Sequence, residues 1–364
     1  HLPFKEGVDG SSPSGLTTTM RNITNFYKNK KILVTGATGF KGAWLCSWLI
    51  KLGAKVYGVG LNPNPNKKLF YSLKLQKKIK LKIFDIRDSK KISNFIKSIK
   101  PSIVFHLAAQ PIVSESYKKP LLTFDTNLRG TINVIEASIK SKSVRSIVSI
   151  TSDKCYENLG EKKKFKEVDR LGGSDPYSAS KACAELAINS YKESFFMNKI
   201  NCGISSARAG NVIGGGDWSP DRLIPDSIKS IINKSKIIIR NPKYNRPWQF
   251  VLDPLLGYLI LAQLQYINPK RYSSSWNFGP KNNNVRSVSS IVNQIINYWG
   301  YGSIKKQKRK KFHEHHYLQL NIDKAVKNLN WKPIYNVSKS VNVTTEWYFQ
   351  VYKKKIDPTI ITNK

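Results

Sequence analysis

Two segments of the chain combine residue types that can move protons. Tyr177 and Lys181 stand four residues apart, so on a helix their side chains share one face. A lysine ammonium beside a phenol lowers the pKa of the phenol from about 10 towards neutrality. Tyr177 is therefore a candidate base for a hydroxyl group whose carbon loses hydride. Because the spacing Tyr-x-x-x-Lys also arises often by chance, it needs support from elsewhere in the chain.

Residues 150–156 give that support, since they follow a predicted strand and carry three further polar groups. Ser152 could hydrogen-bond the reacting oxygen, and Asp153 could act as a general acid. Lys154 is adjacent. Neighbouring residues of a strand point to opposite faces, so Asp153 and Lys154 can face one substrate only if the strand has already given way to a loop.

A glycine-rich turn occupies residues 35–42, which read Thr-Gly-Ala-Thr-Gly-Phe-Lys-Gly. Glycines at this spacing allow a tight turn and close approach of the backbone to a pyrophosphate at a helix N-terminus. An ordinary glycine turn is the alternative. The turn lies between a buried strand and an amphipathic helix, which is the context that a dinucleotide motif requires. The predicted cofactor contacts here are Gly36, Thr38, Gly39, Phe40, Lys41 and Gly42.

The second strand does not end in the acidic residue that usually holds the adenosine ribose. Asn62 follows it and could bond the ribose, and Lys67 and Lys68 come soon after. The choice between NAD and NADP therefore stays open at this position. Tyr177 and Lys181 are also predicted to contact the cofactor. The remaining predicted contacts follow the third and fourth strands or lie on the next helix: Asp85, Ile86, Leu107, Ala108, Ala109, Gln110 and Asn127.

Strands alternate with helices over the first half of the chain. The predicted strands cover residues 31–35, 56–59, 79–84, 103–107, 146–150 and 204–207. The predicted helices cover residues 44–52, 89–99, 121–139 and 176–196. This alternation predicts an α/β fold with a Rossmann-type, doubly wound parallel sheet.

The pattern loosens after about residue 209, where glycines, prolines and aromatic residues cluster. We expect a dinucleotide-binding domain over residues 20–207 and a smaller α/β lobe over residues 208–364, used mainly for substrate. Residues 1–19 are rich in Ser, Thr, Gly and Pro and precede Met20. They are expected to be a disordered leader outside the fold.

Composition limits the class of protein. The chain has 364 residues, 40% of them hydrophobic, and its longest apolar stretches fall short of the roughly 20 residues of a membrane helix. The four cysteines show no C-x-x-C pair, which favours a reduced, cytoplasmic protein. No metal is expected, since Glu314, His315 and His316 lack metal-ligand spacing.

The net charge of +38 has two readings. Clustered basic residues would indicate a nucleic acid or an anionic membrane as partner. The lysines here are scattered and rarely interleave with aromatic residues, so a lysine-rich solvated surface is favoured. Neither a specific nucleic acid nor a membrane is expected as a partner. A basic surface would still attract an anionic substrate such as a nucleotide diphosphate.

Together these motifs resemble the extended short-chain dehydrogenase/reductase family, and within it the dehydratases that act on CDP-glucose. The stretches that carry the resemblance are residues 35–44, 106–110, 151–158, 172–181, 208–218 and 246–249. The first is common to the whole family, and the last three are long enough that chance does not explain them. The resemblance covers most of residues 20–347. It implies NAD as cofactor, a nucleotide sugar as substrate, and a homodimer or homotetramer packed through the helices of residues 121–139 and 177–196.

The resemblance also implies a reaction. Tyr177, with Lys181 and Ser152, would take the proton of the glucose 4-hydroxyl as hydride leaves C4. Asp153 would protonate the departing 6-hydroxyl after a base removes the C5 proton. Related dehydratases carry a glutamate where Lys154 stands, so Lys154 is either that base, acting as a neutral amine, or a charged group that stabilises the developing enolate.

The substrate lobe supplies candidates for holding the nucleotide. Arginine suits a diphosphate because its planar fork donates two hydrogen bonds at once. Arg208 is a candidate on this ground, together with the arginines below. The predicted substrate contacts are Gln110, Asn211, Asp217, Trp218, Arg222, Arg246 and Trp248. Core packing is the alternative for both tryptophans. A histidine commonly stands in the family where this chain has Phe250, and residues 329–333 are expected to have a structural role.

Two other functions remain open. A nucleotide-sugar 4-epimerase on the same fold needs only oxidation and rotation of a 4-keto intermediate, and Asp153 argues against it because no hydroxyl departs. A basic nucleic-acid-binding protein would show a strongly salt-dependent affinity for DNA or RNA. That hypothesis leaves the group formed by Ser152, Asp153, Tyr177 and Lys181 unexplained.

Overall fold

The computed structural model describes residues 13–62, 69–196, 201–281, 285–307 and 317–363. The strands are β1 (Lys31–Thr35), β2 (Lys55–Gly60), β3 (Lys80–Ile83), β4 (Ile103–His106), β5 (Ser146–Ile150), β6 (Lys164–Phe165), β7 (Gly203–Ala209), β8 (Val212–Ile213), β9 (Ile237–Ile239), β10 (Asn245–Arg246), β11 (Gln249–Phe250), β12 (Ser275–Phe278), β13 (Arg286–Ser287), β14 (Ile304–Lys306) and β15 (Gln319–Leu320).

The helices surround these strands. They are α1 (Pro13–Tyr27), α2 (Phe40–Lys51), α3 (Leu69–Ser72), α4 (Ser89–Ile99), α5 (Val113–Lys118), α6 (Pro120–Phe124), α7 (Gly130–Lys140), α8 (Pro176–Tyr191), α9 (Leu223–Ile232), α10 (Leu252–Ile267), α11 (Pro269–Tyr272), α12 (Val288–Trp299), α13 (Asp323–Leu329), α14 (Val337–Tyr352) and α15 (Pro358–Asn363). Shorter helical turns cover Leu75–Lys77, Asp125–Arg129, Asp153–Cys155 and Lys192–Phe196.

One parallel sheet organises the molecule. Among the described residues it has seven strands in the order β3-β2-β1-β4-β5-β7-β12. The chain runs outward from β1 in one direction and then returns to continue from β4 in the other, so the carboxyl ends of β1 and β4 flank a crevice of the kind that binds dinucleotides. The predicted Rossmann-type fold is confirmed.

Helices cover both faces of this sheet, which is why its central strands are buried along almost their whole length. Ile32 and Val34 of β1 belong to the core on one face, together with α2 and α10. Leu33 points the other way, into a second core with α4 and α7. This alternation follows from the two-residue period of a strand.

Two predicted helices are interrupted in the structure. The helix predicted over residues 121–139 is divided into α6, a π-helical turn at Asp125–Arg129, and α7, and the unpredicted α5 precedes it. The helix predicted over residues 176–196 ends as α8 at Tyr191 and continues as a π-helical turn. A π turn inserts one residue into the helix, so it changes which side chains face inward.

The C-terminal half contributes to the main sheet as well as to the smaller lobe. Strand β12 pairs in parallel with β7, and α10 packs against β5 and β7. The division predicted at residue 207 therefore does not separate two independent cores. The rest of the lobe combines helices, among them α9, α12, α13 and α14, with the short strand pairs β8 with β11, β9 with β14 and β10 with β13. Strand β15 pairs with β6, which precedes the predicted boundary.

The N-terminal helix α1 begins at Pro13, within the segment expected to be a leader. It is held because Met20, Ile23 and Tyr27 are buried and the Tyr27 hydroxyl donates a 2.7 Å hydrogen bond to the Leu259 carbonyl. Residues 1–12 lie outside the described residues. Across the described ranges, no helix is long and apolar enough to cross a membrane.

Candidate active site

A cavity of about 430 Å³ opens where the carboxyl ends of the sheet strands meet the C-terminal lobe. It brings together predicted residues from distant parts of the sequence. Those that line it are Phe40, Lys41, Leu107, Ala109, Ser152, Asp153, Lys154, Tyr177, Lys181, Asn211, Asp217, Arg222, Arg246 and Trp248.

The glycine turn is packed too closely to accept side chains. Gly36 has φ +70°, and a Cβ added to it would lie 2.7 Å from the Ala108 backbone nitrogen. A Cβ on Gly42 would lie 2.1 Å from the Gly36 carbonyl oxygen. Thr38 fixes the turn to the end of β2 by donating a 3.1 Å hydrogen bond to the Leu61 carbonyl. The turn therefore has no room for a side chain at Gly36 or Gly42, and it packs directly on the backbone that follows β4.

Helix α2 leaves its first backbone N–H groups free of a side-chain cap. Its N-cap residue is Gly39, which has no side chain to accept from them. In contrast, α4 and α8 begin with Asp88 and Asp175, whose carboxylates accept from backbone nitrogens of the first turn. Uncapped N–H groups at a helix N-terminus attract a phosphate. The turn and the helix together fit the pyrophosphate of a dinucleotide.

A short helical turn carries the candidate acid. Strand β5 ends at Ile150, and Asp153–Cys155 form a 3-10 turn. Ser152 Oγ accepts from the Lys154 backbone nitrogen at 3.2 Å and donates to Asp153 Oδ1 at 3.0 Å. Because the strand has given way to this turn, Asp153 and Lys154 both line the cavity, as the sequence required.

The environment of Asp153 favours its protonated form. The residue is 4% exposed, and burial raises the pKa of its carboxyl. The charges of Lys154 and Arg246 and the hydrogen bond from Ser152 oppose this effect without cancelling it. A carboxyl group that keeps its proton to higher pH is suited to general acid catalysis.

Tyr177 and Lys181 lie on α8, as predicted. Burial raises the pKa of Tyr177 to about 12, and a hydrogen bond with Ser152 only partly offsets it. The predicted fall of this pKa towards neutrality is therefore wrong for the structure, because desolvation of the phenolate outweighs the nearby charges. Burial also lowers the pKa of Lys181 to about 8, against the opposing charge of Glu185.

Lys41 extends from the glycine turn into the cavity. Burial lowers the pKa of its amine to about 7, and the charges of Lys181 and Arg222 act in the same direction. The carboxylates of Asp153 and Asp217 oppose them. Lys41 thus links the cofactor turn electrostatically to both the candidate acid and the substrate side.

Gln110 and Asn127, which are predicted to contact ligands, hydrogen-bond with their amide groups inside the protein. Gln110 Nε2 donates to the Ile112 carbonyl at 3.1 Å and to Thr123 Oγ1 at 2.9 Å, and its Oε1 accepts from the Ile112 nitrogen. Asn127 accepts from the Gln110 nitrogen at 2.8 Å and donates to Ser180 Oγ at 2.9 Å. Both amides therefore fasten the segment after β4 to neighbouring helices rather than present themselves to a ligand.

The residues predicted around the adenosine lie near the ends of β2 and β3. Asn62 is exposed. Arg87 binds the Asp85 carboxylate with Nε at 3.0 Å and a terminal nitrogen at 2.8 Å. Burial raises the pKa of Asp85, but Arg87 outweighs it and holds the pKa below its ordinary value. Ile86 packs closely on α7. A Cβ added to Gly130 at the start of this helix would lie 2.5 Å from the Ile86 side chain.

The substrate side of the cavity contains a paired arginine. Arg222 donates to Asp217 Oδ2 at 2.7 Å, and the other carboxylate oxygen accepts from the Ser219 nitrogen. The Arg246 guanidinium lies 5.3 Å from the centre of the Tyr244 ring. These guanidinium groups line the cavity and can meet an anionic ligand there.

Two residues considered for the nucleotide have other roles. Trp218 packs edge-to-face on the rings of Tyr348 and Tyr352, so the core-packing alternative applies to it. Arg208 is 2% exposed and donates to Glu185 at 2.7 Å. Its positive charge compensates the charge of this buried carboxylate. Arg208 is not among the residues that line the cavity.

Aromatic packing also accounts for Phe250, which contacts the rings of Trp44 and Tyr335 edge-to-face. In residues 329–333, the Trp331 indole donates to the Asp253 carbonyl at 2.9 Å, which is a structural role as expected.

Three residues that sequence reasoning missed join opposite sides of the cavity. Asp221 accepts from Ser114 Oγ at 2.6 Å with one oxygen and from Arg240 at 2.6 Å with the other. All three line the cavity. Asp221 has φ +59°, an uncommon backbone conformation for a residue with a side chain. Its position beside the predicted Arg222 was the only sequence signal for this contact.

The predicted histidine and glutamate cluster at Glu314, His315 and His316 lies outside the described residues, as do Lys67 and Lys68. Where side chains are described, no group of three or more His, Cys, Asp or Glu residues could hold a metal ion.

The fold and the cavity define an extended short-chain dehydrogenase/reductase, since a dinucleotide turn faces a Ser-Tyr-Lys group at the carboxyl ends of one parallel sheet. The sequence model of the GDP-mannose 4,6 dehydratase family matches residues 33–344, and the chain belongs to that family. It is 43% identical over 330 residues to the CDP-glucose 4,6-dehydratase of Salmonella typhimurium, covering 89% of this chain and 92% of that protein.

Solved structures share the same fold. The epimerase Mth375 of Methanothermobacter thermautotrophicus superimposes with a TM-score of 0.79 at 23% identity, covering 94% of this chain and 98% of that one. The dTDP-glucose 4,6-dehydratase of Bacillus anthracis, solved in complex with NAD, gives a TM-score of 0.75 at 21% identity and covers 89% and 98%.

Proposed function

We propose that this enzyme converts CDP-D-glucose to CDP-4-keto-6-deoxy-D-glucose and water. The observation that carries the proposal is the buried carboxyl of Asp153, whose pKa is raised by burial and which lies beside the Ser152 and Tyr177 hydroxyls. A reaction that expels a hydroxyl group needs such an acid. The 43% identity to the dehydratase of Salmonella typhimurium supports CDP-glucose as the substrate.

The glycine turn and its helix would hold NAD through Gly36, Thr38, Gly39 and the first backbone N–H groups of α2. NAD held there would supply the hydride chemistry, as acceptor in the oxidation of the sugar and as donor in the final reduction. The protein's own side chains handle the protons.

The first proton transfer involves Tyr177. Its phenol oxygen takes the proton of the glucose 4-hydroxyl as C4 is oxidised to a ketone. Ser152 holds the reacting oxygen, and the Lys181 ammonium stabilises the phenolate. Because burial raises the pKa of Tyr177 to about 12, the cations of a loaded site would favour the phenolate.

The second stage removes water. A 4-keto group acidifies the C5–H bond, and the C5 proton passes to Lys154 if its amine is neutral. The C6–O bond breaks as Asp153 gives its proton to the departing oxygen, which leaves as water. If Lys154 stays charged, it stabilises the enolate oxygen at C4, and the C5 proton passes to another basic group of the site. The base returns its proton to C5 as hydride returns to C6, and the proton taken by Tyr177 replaces the one that Asp153 gave, so the product forms without net oxidation.

The nucleotide would lie against the C-terminal lobe. Arg222 and Arg246 can each donate two hydrogen bonds to a diphosphate. Asn211 and Trp248 also line this part of the cavity. Asp217 orients Arg222 through its 2.7 Å ion pair, so the guanidinium is already in place before the ligand arrives.

A nucleotide-sugar 4-epimerase is the second candidate, and the fold shared with an epimerase favours it. Epimerisation uses the Tyr177 proton transfer but gives Asp153 nothing to protonate.

Mass spectrometry with NAD and a panel of CDP-, dTDP-, GDP- and UDP-sugars tests the proposal. Loss of one water from CDP-glucose without accumulation of reduced cofactor is the expected result. Isomerisation without water loss would replace the dehydratase by the epimerase, and turnover of another nucleotide alone would change the substrate.

We also propose a homodimer that packs through α6, α7 and α8. Leu121 is 76% exposed and Leu186 is 59% exposed, and these helices lie side by side on one face. Exposed large apolar side chains on adjacent helices favour burial against a second copy. Sedimentation of the Leu121→Glu, Leu186→Glu double variant should show a monomer if this surface is the interface.

A further inference from the structure

A buried ion pair lies directly beneath the candidate active site. Glu185 and Arg208 are each 2% exposed, and their charged groups are 2.7 Å apart. Glu185 is on α8 one turn after Lys181, so both side chains share a face of the helix. Arg208 is on the buried strand β7. The pair therefore joins the helix of the candidate base to the sheet.

The Glu185 carboxylate also holds the strand that leads to the acid. Its Oε1 accepts a 2.5 Å hydrogen bond from Thr151, the residue directly before Ser152. Its Oε2 accepts from Ser206 Oγ at 2.7 Å. Burial raises the pKa of Glu185, but Arg208 and these hydrogen bonds outweigh it, so the carboxyl is ionised.

Arg208 holds the other end of the same turn. One terminal nitrogen donates to the Tyr156 hydroxyl at 2.7 Å and to the Glu167 carbonyl at 3.1 Å. Tyr156 directly follows the turn Asp153–Cys155, whereas Thr151 precedes it. The ion pair thus fixes the candidate acid turn from both sides.

Titratable groups on several helices and strands interact electrostatically with Lys181. Burial lowers the pKa of its ammonium to about 8, and Glu185 on the same helix raises it, as does Cys155 on the turn. His106 on β4 and Lys41 on α2 also couple electrostatically to Lys181. Among these neighbours Glu185 is the ionised carboxylate.

We propose that Glu185 is a positioning residue of the active site: it sets the separation between α8 and the turn that carries Asp153, and its negative charge favours the ammonium form of Lys181. The proposal rests on the function proposed above, because it assigns roles to groups of that reaction. Glu185 itself is buried and is not among the residues that line the cavity.

The charge is tested with Glu185→Gln, which removes it and keeps an acceptor oxygen. Without the carboxylate the Lys181 amine loses its proton more easily, so the alkaline limb of kcat/KM should move to lower pH. We also expect kcat to fall on the order of tenfold as the turn loosens. Ser206→Ala is the matched control, since it removes one hydrogen bond to Glu185 and leaves the charge. Its alkaline limb should stay in place.

The hydrogen bond between Thr151 and Glu185 is tested with Thr151→Val, which removes this bond and keeps the charge of Glu185. It should lower kcat without moving the alkaline limb. An unchanged kcat in this variant would overturn the positioning role.

A second readout separates this proposal from the proposed function. Trace acetylation of Lys181 with acetic anhydride across the neutral to alkaline range, followed by peptide mass spectrometry, reports its protonation without turnover. In Glu185→Gln, Lys181 should become reactive at lower pH than in the wild type. If the wild type turns over no nucleotide sugar, the function fails while this result still stands.

Glu185→Gln leaves the Arg208 cation buried without its partner, which can prevent folding. The double variant Glu185→Gln, Arg208→Met removes both charges and should show the same shift of Lys181 reactivity. A folded single or double variant with unchanged Lys181 reactivity would overturn the electrostatic role. Should neither fold, Thr151→Val alone decides the positioning role.

Discussion

Gly210 leaves room for the carboxyl group of Asp153 and for little else. A Cβ added to Gly210 would lie 1.8 Å from Asp153 Oδ2 and 2.2 Å from its carboxyl carbon. The glycine is fixed in turn, because the buried side chain of Gln249 donates to its carbonyl oxygen at 2.9 Å. The candidate acid therefore lies flat against a stretch of backbone that tolerates no side chain.

Gly210→Ala should displace the Asp153 carboxyl and slow water loss by about 100-fold, since a shift near 1 Å at a reacting group costs about this much. Product formation from CDP-glucose measures it. Gly279→Ala is the control, because a Cβ there meets atoms no closer than 3.5 Å. Equal rates in the two variants would show that the carboxyl position is not important.

Asp153→Asn should separate oxidation from elimination. The amide cannot give a proton to the departing oxygen, so water loss should fall about 10²- to 10⁴-fold, while oxidation at C4 continues. Reduced cofactor should then accumulate, as its absorbance would show. In the wild type, burial raises the pKa of Asp153, so elimination should persist to higher pH than an ordinary aspartic acid allows. Full elimination by the asparagine variant would remove Asp153 from the mechanism.

Replacement of Lys154 distinguishes its two roles. Lys154→Met should lower elimination about 100-fold under either role, and a variant that keeps the full rate would exclude both. Lys154→Arg keeps a charge that cannot be removed at accessible pH. It should retain part of the activity if the charge stabilises the enolate, and lose as much as methionine if the amine is the base. Solvent exchange of the C5 hydrogen gives an independent readout.

The buried amine of Lys41 leads us to expect that cofactor binding depends on pH. Its pKa is lowered to about 7 by burial and by the cations Lys181 and Arg222. An anionic diphosphate nearby favours the ammonium, so binding should take up a proton and weaken as pH rises above 7. If the ligand raises this pKa by about one unit, the affinity for NAD should fall about tenfold.

Calorimetric titration of NAD in buffers of different ionisation enthalpy measures the proton uptake. Lys41→Met should abolish both the uptake and the fall in affinity above pH 7. An unchanged pH dependence in this variant would assign the effect to another group.

Much of the fold follows from local patterns. The strands at residues 31–35 and 146–150 and the helix at 89–99 have the bounds that their apolar spacing predicts. Strand β12 was missed because its four residues pair with β7 only after α10 has crossed the sheet. A strand of that length gains its stability from tertiary contacts rather than from its own sequence.

The candidate site likewise combines features that local sequence predicts with features that tertiary contacts decide. Motif positions predicted the residues that meet in the cavity, but not the direction of each side chain. Gln110 and Arg208 are polar residues at motif positions, and both turned out to satisfy buried partners. The pKa of Tyr177 was predicted in the wrong direction because the sequence shows its lysine neighbour but not the burial around it.

Turnover of CDP-glucose labelled with deuterium at C4 tests the proposed reaction most directly. The account predicts a product that has lost one water and carries the deuterium at C6, because the hydride removed from C4 returns there. A product of unchanged mass with deuterium still at C4 would contradict it and indicate epimerisation. Loss of water with loss of the deuterium to solvent would contradict the internal hydride transfer.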